Sequence, residues 1–126
     1  RYGLATGEVH GRLVLDRDHE LVAFAAWEFS ATAGSVELTD CVTAPACRGR
    51  GVMTYLVGRL EEDLADVFGD QACHSLARAD ESGMQKVLAR RGWHGAGRLV
   101  HHFRDGLGWV SACVWHGPPS HLKKPC

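Results

Sequence analysis

The sequence predicts a mixed α/β (α+β) fold with the order β-β-β-α-β-α-β-β, and three observations carry that prediction. Val52, Leu56, Leu60 and Leu64 recur at a spacing of four, which marks a long amphipathic helix in mid-chain. Short apolar and β-branched runs stand on either side of it and read as strands. Strand–turn–strand patterns at both ends of the chain read as antiparallel hairpins, with a crossover helix between the central strands.

The first hairpin joins Leu13-Val14-Leu15 to residues 21–29 through the polar turn Asp16-Arg17-Asp18-His19. Residues 30–35 are small and polar, a loop. Residues 36–43 (VELTDCVT) alternate, so Glu37, Thr39, Cys41 and Thr43 are expected on one face and Val36, Leu38, Asp40 and Val42 on the other. Residues 44–51 form a loop with one proline and two glycines that leads directly into the helix 52–68, which Gly69-Asp70 stops. A strand over 72–77 follows, then a helix over 80–91 with Asp80 or Ser82 as its cap and Gly92 beyond its end. Strands 99–103 and 109–115 are joined by Asp105-Gly106-Leu107-Gly108. The Pro-rich stretch 117–126 reads as a flexible tail, leaving one domain over 1–116. Trp27, Trp93, Trp109 and Trp115 are expected in the core.

Composition narrows the function. The 126 residues carry 14 Lys+Arg against 15 Asp+Glu, a formal charge of −1, which argues against a broad electrostatic grip on nucleic acid or anionic lipid. No apolar run approaches the ~20 residues of a membrane helix, and no signal peptide is read at the start. The cysteines, Cys41, Cys47, Cys73, Cys113 and Cys126, are odd in number and make no C-x-x-C pair, so reduced thiols in the cytoplasm are expected. Adjacent His101 and His102 point to opposite strand faces, and no H-x-x-x-H pair occurs, so no metal is expected. The chain opens on Arg1 rather than Met, and the expectation is a fragment or processed chain.

The strand–loop–helix over residues 36–60 is the most informative segment. The first N–H groups of a helix lack intrahelical partners and carry partial positive charge, and glycines let backbone approach a ligand closely. With Arg48 and Arg50 alongside, the loop fits a phosphate or pyrophosphate. It matches neither G-x-x-x-x-G-K-[ST] nor G-x-G-x-x-G.

Arg48-Gly49-Arg50-Gly51-Val52-Met53 resembles the acyl-CoA signature R/Q-x-x-G-x-G/A of the GNAT superfamily of N-acetyltransferases. The likeness spans residues 13–115 and includes a second motif, a helix closing on Gly92-Trp93. Within the superfamily the chain is most similar to bacterial β-lysine N-acetyltransferases, through Thr39-Asp40, residues 48–53 and Gly97-Arg98-Leu99-Val100. The resemblance implies a mostly antiparallel central sheet with a V-shaped splay between two parallel strands and helices on both faces. It implies acetyl-CoA as cosubstrate, without a metal, and a small-molecule amine as acceptor. Cys41, Val42 and Thr43 would bond the pantetheine arm as an added strand does. The amides of Arg48, Gly49, Arg50, Gly51, Val52, Met53 and Thr54 would hold the pyrophosphate, and Ser82 stands near the family's pantetheine-anchoring Asn, whose own place is taken by Glu81. Three further departures are Met53 for a small residue, Leu88 for the tyrosine used as general acid, and His101-His102 for a pair of Asn. The family's first strand and helices are expected to be degenerate in residues 1–10, or else to lie upstream or be replaced by a partner subunit, a homodimer among the options.

An amine attacks as its free base, yet an alkyl ammonium has a pKa near ~10.4, so a carboxylate or water must take the proton. Glu37 is the first candidate, because its position relative to Cys41 is similar to that of the base glutamate in the histone acetyltransferase branch. Asp40 is the second, with a structural role as its alternative reading. Two other classes of function stay open: a GNAT-like module that binds acyl-CoA without turnover, favoured by Leu88 and Met53, and an interaction domain whose glycine loop is only a turn.

Overall fold

The structure, a computed structural model, describes residues 9–30, 34–69, 71–80, 82–106 and 108–118. The chain forms two compact units, Arg1–Ala72 and Cys73–Cys126. Both are mixed: each pairs its strands antiparallel and carries one α-helix. The element order is the one expected from the sequence.

In unit 1, β1 (Val9–Leu15), β2 (Leu21–Ser30) and β3 (Ser35–Thr43) make a meander that leads on to α1 (Val52–Phe68). The β1–β2 turn is closed by Asp16, whose Oδ1 accepts the N–H groups of Asp18 (2.8 Å) and Glu20 (3.0 Å), while His19 takes a left-handed conformation. β1 begins four residues earlier than expected. Val9-His10-Gly11-Arg12 has no apolar alternation to announce a strand, and its extension comes from pairing with Ala25, Ala26, Trp27 and Glu28.

One face of the meander, with Ala23, Ala25, Trp27, Val36 and Leu38, is buried. So is the stripe Met53, Leu56, Val57, Leu60 and Leu64 of α1, a broader stripe than the spacing of four predicts and one that begins at Met53 rather than Val52. Trp27 locks the two layers in register, its Nε1–H donating to the Leu60 carbonyl at 2.8 Å in a buried bond. Phe29 stacks on Phe68 at the far end of the helix.

Beside this core lies a charged clamp. Arg12 on β1 grips Asp63 on α1 with both Nε (2.5 Å) and Nη2 (2.7 Å), and His10 Nε2 lies 2.9 Å from the same carboxylate. The Arg12 hydrogen bonds dominate over the cost of partial burial and hold the Asp63 carboxyl at about 2, against 3.8 ordinarily. Two-point geometry makes such a pair worth more than a typical surface ion pair.

The alternation expected for β3 holds only to Thr39. Ala26 pairs with Thr39 but Phe24 pairs with Val42, so Asp40 and Cys41 together oppose the single residue Ala25. This is a β-bulge, and Asp40 absorbs it with φ = 55°. The extra residue reverses the side-chain parity. Val42 joins the face of Glu37 and Thr39, where it is 56% exposed, and Thr43 crosses to the face of Val36 and Leu38.

In unit 2, β6 (Gly108–His116) pairs with both β4 (Ala72–Arg78) and β5 (His94–Asp105), and α2 (Ser82–Arg90) connects β4 to β5. Val87 and Leu88 of α2, Trp93, Ala112 and the alternating Cys73, Ser75 and Ala77 are buried. α2 starts at Ser82, not 80, because Asp80 is held by Arg78 through two hydrogen bonds (3.0 and 3.1 Å). Gly92 ends it in a left-handed turn, with the N–H of Trp93 returning to the Leu88 carbonyl. β5 begins at His94 rather than 99, since the glycine-rich lead disguises a strand that its ladder to β6 makes plain. A wide bulge sets residues 100–102 against Ser111 alone, with His101 left-handed, so simple alternation of His101 and His102 does not apply.

Two further expectations are corrected. Trp109 is 57% exposed and packs against the Arg104 guanidinium (5.6 Å to the ring centroid), a surface cation–π pair near the hairpin end. The tail does not begin at Gly117: Gly117 and Pro118 are buried, and a Cβ at 117 would lie 2.4 Å from the Trp93 ring. Residues 119–126 lie outside the described residues.

Because the folded pKa of Asp63 is depressed, its stabilisation is complete above its unfolded pKa and is lost as pH falls from about 4 through about 2. Asp63→Asn should cost about 1–2 kcal/mol at pH 7 and flatten that acid limb. Urea denaturation of both proteins across pH 2–7 measures it, and parallel limbs would show that the clamp contributes nothing.

Candidate active site

β3 leads into the loop through Ala44, whose N–H donates to the Val22 carbonyl at 2.7 Å. Pro45–Cys47 makes one 3₁₀ turn, supported by Cys47 N–H on the Ala44 carbonyl at 2.9 Å. Pro45 sets φ there and blocks extension of β3. Arg48 is exposed, its Nε reaching the Thr43 carbonyl at 3.4 Å. Gly49 and Gly51 both adopt left-handed φ, 78° and 77°. The second glycine is the N-cap of α1, and the chain needs that conformation to turn into the helix.

The head of α1 is bare. Gly51 supplies no side-chain cap and the first turn contains no acidic residue. The first i→i−4 bond runs from Tyr55 N–H to the Gly51 carbonyl at 3.0 Å, so the amides of Val52, Met53 and Thr54 precede the helical ladder. The Thr54 hydroxyl oxygen is buried with no hydrogen-bond partner among the described residues. Nothing lies within 4 Å of where a Cβ would stand on Gly49 or Gly51. An uncapped helix head, an orphaned hydroxyl, two flanking arginines and open space above the glycines fit a phosphate-bearing ligand. Met53 does not crowd this loop, because its side chain belongs to the buried stripe and is only 8% exposed.

On β3, Glu37 is half-buried and directly opposite Glu28 of β2. Thr39 and Val42 share the face of Glu37, and Asp40 sits half-buried in the bulge. The Cys41 thiol is pushed up to about 12, chiefly by burial and further by the negative charge of Asp40 and Glu37. It therefore stays protonated at neutral pH and is a poor nucleophile. The structure thus places Glu37, Asp40, Cys41, Val42, Thr43 and the loop 48–54 along one stretch of unit 1, β3 and the segment that follows it, whereas Ser82 opens α2 in unit 2. Sequence reading missed Glu28, whose even spacing from Phe24 and Ala26 in β2 was the available signal. Leu88, at the position of the expected tyrosine, is fully buried. Among the described residues no group of three or more His, Cys, Asp or Glu side chains could hold a metal ion.

With this geometry in view, the comparisons with known proteins agree. The model of the acetyltransferase (GNAT) family matches residues 3–93, and the chain belongs to that family. It is 33% identical over 105 residues to the N-acetyltransferase YodP of Bacillus subtilis, covering 82% of this chain and 37% of that protein. It is 29% identical over 102 residues to the beta-lysine N(6)-acetyltransferase of Methanosarcina mazei, covering 81% and 37%. The chain thus spans little more than a third of the length of these relatives. Among solved structures, a chimera of the spermidine N-acetyltransferase SpeG from Vibrio cholerae and hSSAT superposes with a TM-score of 0.79 at 15% identity, covering 98% of this chain and 78% of that one. NAA60 of Arabidopsis thaliana, crystallised with a bisubstrate analogue, gives 0.77 at 12% identity, covering 90% and 76%. At such identities the structures establish the fold, a mixed and mostly antiparallel α/β architecture.

Gly51→Ala should lower stability by about 1–2 kcal/mol through left-handed strain alone, since the added methyl meets no neighbour. Thermal unfolding reads this loss, and an unchanged midpoint would show that the loop relaxes without the glycine.

Proposed function

We propose that the chain is an N-acetyltransferase that moves the acetyl group of acetyl-CoA to a primary amine of a small molecule, an amino acid such as β-lysine or a related metabolite. The observation that carries this reading is the uncapped head of α1 behind left-handed Gly49 and Gly51, in a chain of the GNAT family. The names of its relatives, one of them acting on β-lysine, support the acceptor class. The expected acyl-CoA-binding domain would extend through the buried Gly117 and Pro118, in the cytoplasm. No helix among the described residues is long and apolar enough to cross a membrane.

In this reading the amides of residues 48–54 and the Arg48 and Arg50 side chains hold the pyrophosphate of the coenzyme, which brings an activated thioester. Cys41, Val42, Thr43 and Ser82 align the pantetheine arm, and a β3 amide polarises the thioester carbonyl. Glu37 takes the proton from the acceptor ammonium, directly or through water, and the free amine attacks the carbonyl carbon. The C–N bond forms, the C–S bond breaks, and the departing thiolate takes a proton. With a thiol pKa near ~8.5 this leaving group can be protonated by water, so the absence of a tyrosine at Leu88 is tolerable. A protonated Cys41 favours direct attack over an acyl-enzyme. Asp40 serves as the second candidate base or as a charge that draws the cationic acceptor.

The second reading, an acyl-CoA-binding module without turnover, is favoured by one observation, the complete burial of Leu88 where the family's acid stands. Both readings require acetyl-CoA to raise the thermal midpoint, by the equivalent of about 2.7 kcal/mol at 100 times its Kd. Release of free thiol across a panel of amines then separates them. Under the enzyme reading, Glu37→Gln lowers turnover by about 10²–10⁴-fold near pH 7 with coenzyme affinity retained. Cys41→Ala keeps turnover within a few-fold of the parent. Undiminished turnover of Glu37→Gln at every pH would remove Glu37 as the base.

A further inference from the structure

Unit 2 contains a cavity of about 390 Å³ that none of the roles above uses apart from Ser82 at its margin. Its walls are the β4–α2 turn (Ala79, Asp80), one face of α2 (Ser82, Gln85, Lys86, Ala89) and the indole of Trp115 on β6. The spacing i, i+3, i+4, i+7 along α2 makes those four side chains a continuous strip. Both flanks are pinned. The Ala79 N–H donates to the Ser111 carbonyl at 2.8 Å, and Gln85 Nε2 donates to the Arg78 carbonyl at 3.1 Å. The cavity is therefore formed in advance, and its volume lies within the roughly 300–1,000 Å³ of small-molecule sites.

Its electrostatic sign comes from the pairing. Asp80 is neutralised by Arg78 through a two-point bond. Lys86 is exposed and makes no ion pair among the described residues, leaving one uncompensated positive charge on the lining. Ser82 opens α2, so the positive end of the helix dipole adds to it. The remaining lining residues, Trp115, Ala79 and Ala89, are apolar or aromatic and suit a flat body.

We propose that this cavity binds a small aromatic carboxylate, its ring against Trp115 and its charge toward Lys86. The cavity lies wholly within unit 2, and the proposal does not depend on the proposed acetyl transfer.

The test titrates 2-naphthoate into the whole chain by ligand-observed NMR, beside its neutral isostere 2-naphthalenemethanol, with and without saturating CoA. Saturable binding of the acid, roughly five- to tenfold tighter than the alcohol, is expected, with that preference lost in Lys86→Gln and the affinity unchanged by CoA. Lys86 is exposed, so its variant folds, and Trp115→Phe separately reports the indole contribution. Absence of saturable binding, equal affinity for acid and alcohol, or an unaltered preference in Lys86→Gln overturns the proposal. Displacement by CoA also overturns it and returns Ser82 and the cavity to the coenzyme. Naphthoate binding in a chain that binds no CoA supports the cavity while removing the acetyltransferase reading.

Discussion

An α-helix cannot satisfy its own first backbone N–H groups, and much of unit 1 bears on those of α1. Proline ends β3, two left-handed glycines swing the chain round, and no side chain caps the helix that they open. Free amides carry a useful field only if their helix is held still. Here that is done from the other side, by the buried Trp27–Leu60 bond and by the grip of Arg12 on Asp63. Neither of those contacts involves the loop, yet they set the direction in which its amides point.

Most of the architecture was legible because its signals are local. The stripe of α1, the alternation at the start of β3 and the glycine loop are each confined to fewer than twenty residues, and each is formed, the stripe with Met53 in place of Val52 and Val57 added. What escaped notice is non-local. Val9 to Arg12 become strand only through β2, and the glycine-rich start of β5 only through β6. The spacing within β2 puts Glu28 on a face, but only the register places it against Glu37. The clamp joins residues 51 positions apart, a distance no periodicity spans.

Several residues that look like departures from the family pattern become ordinary once their surroundings are known. Met53 is large where a small residue is common, but its bulk lies in the core and the loop keeps its width. Leu88 occupies a tyrosine position and is a fully buried core residue of unit 2. Cys41, expected to serve through its backbone on β3, has a thiol that burial beside two carboxylates keeps protonated. Identity at a motif position and chemical competence there are separate questions, and burial decides the second.

The bulge at Asp40 divides β3 into two stretches with opposite inside–outside phase. The extra residue is absorbed locally, and the faces of Val42 and Thr43 are the ones their partners Phe24 and Ala23 require. Deleting either Asp40 or Cys41 would remove the bulge and restore plain pleating while leaving Val42 on the face of Glu37 and Thr43 on that of Val36. A chain one residue shorter here would keep the pairing of Val42 and Thr43 with β2 and lose only the left-handed turn at Asp40.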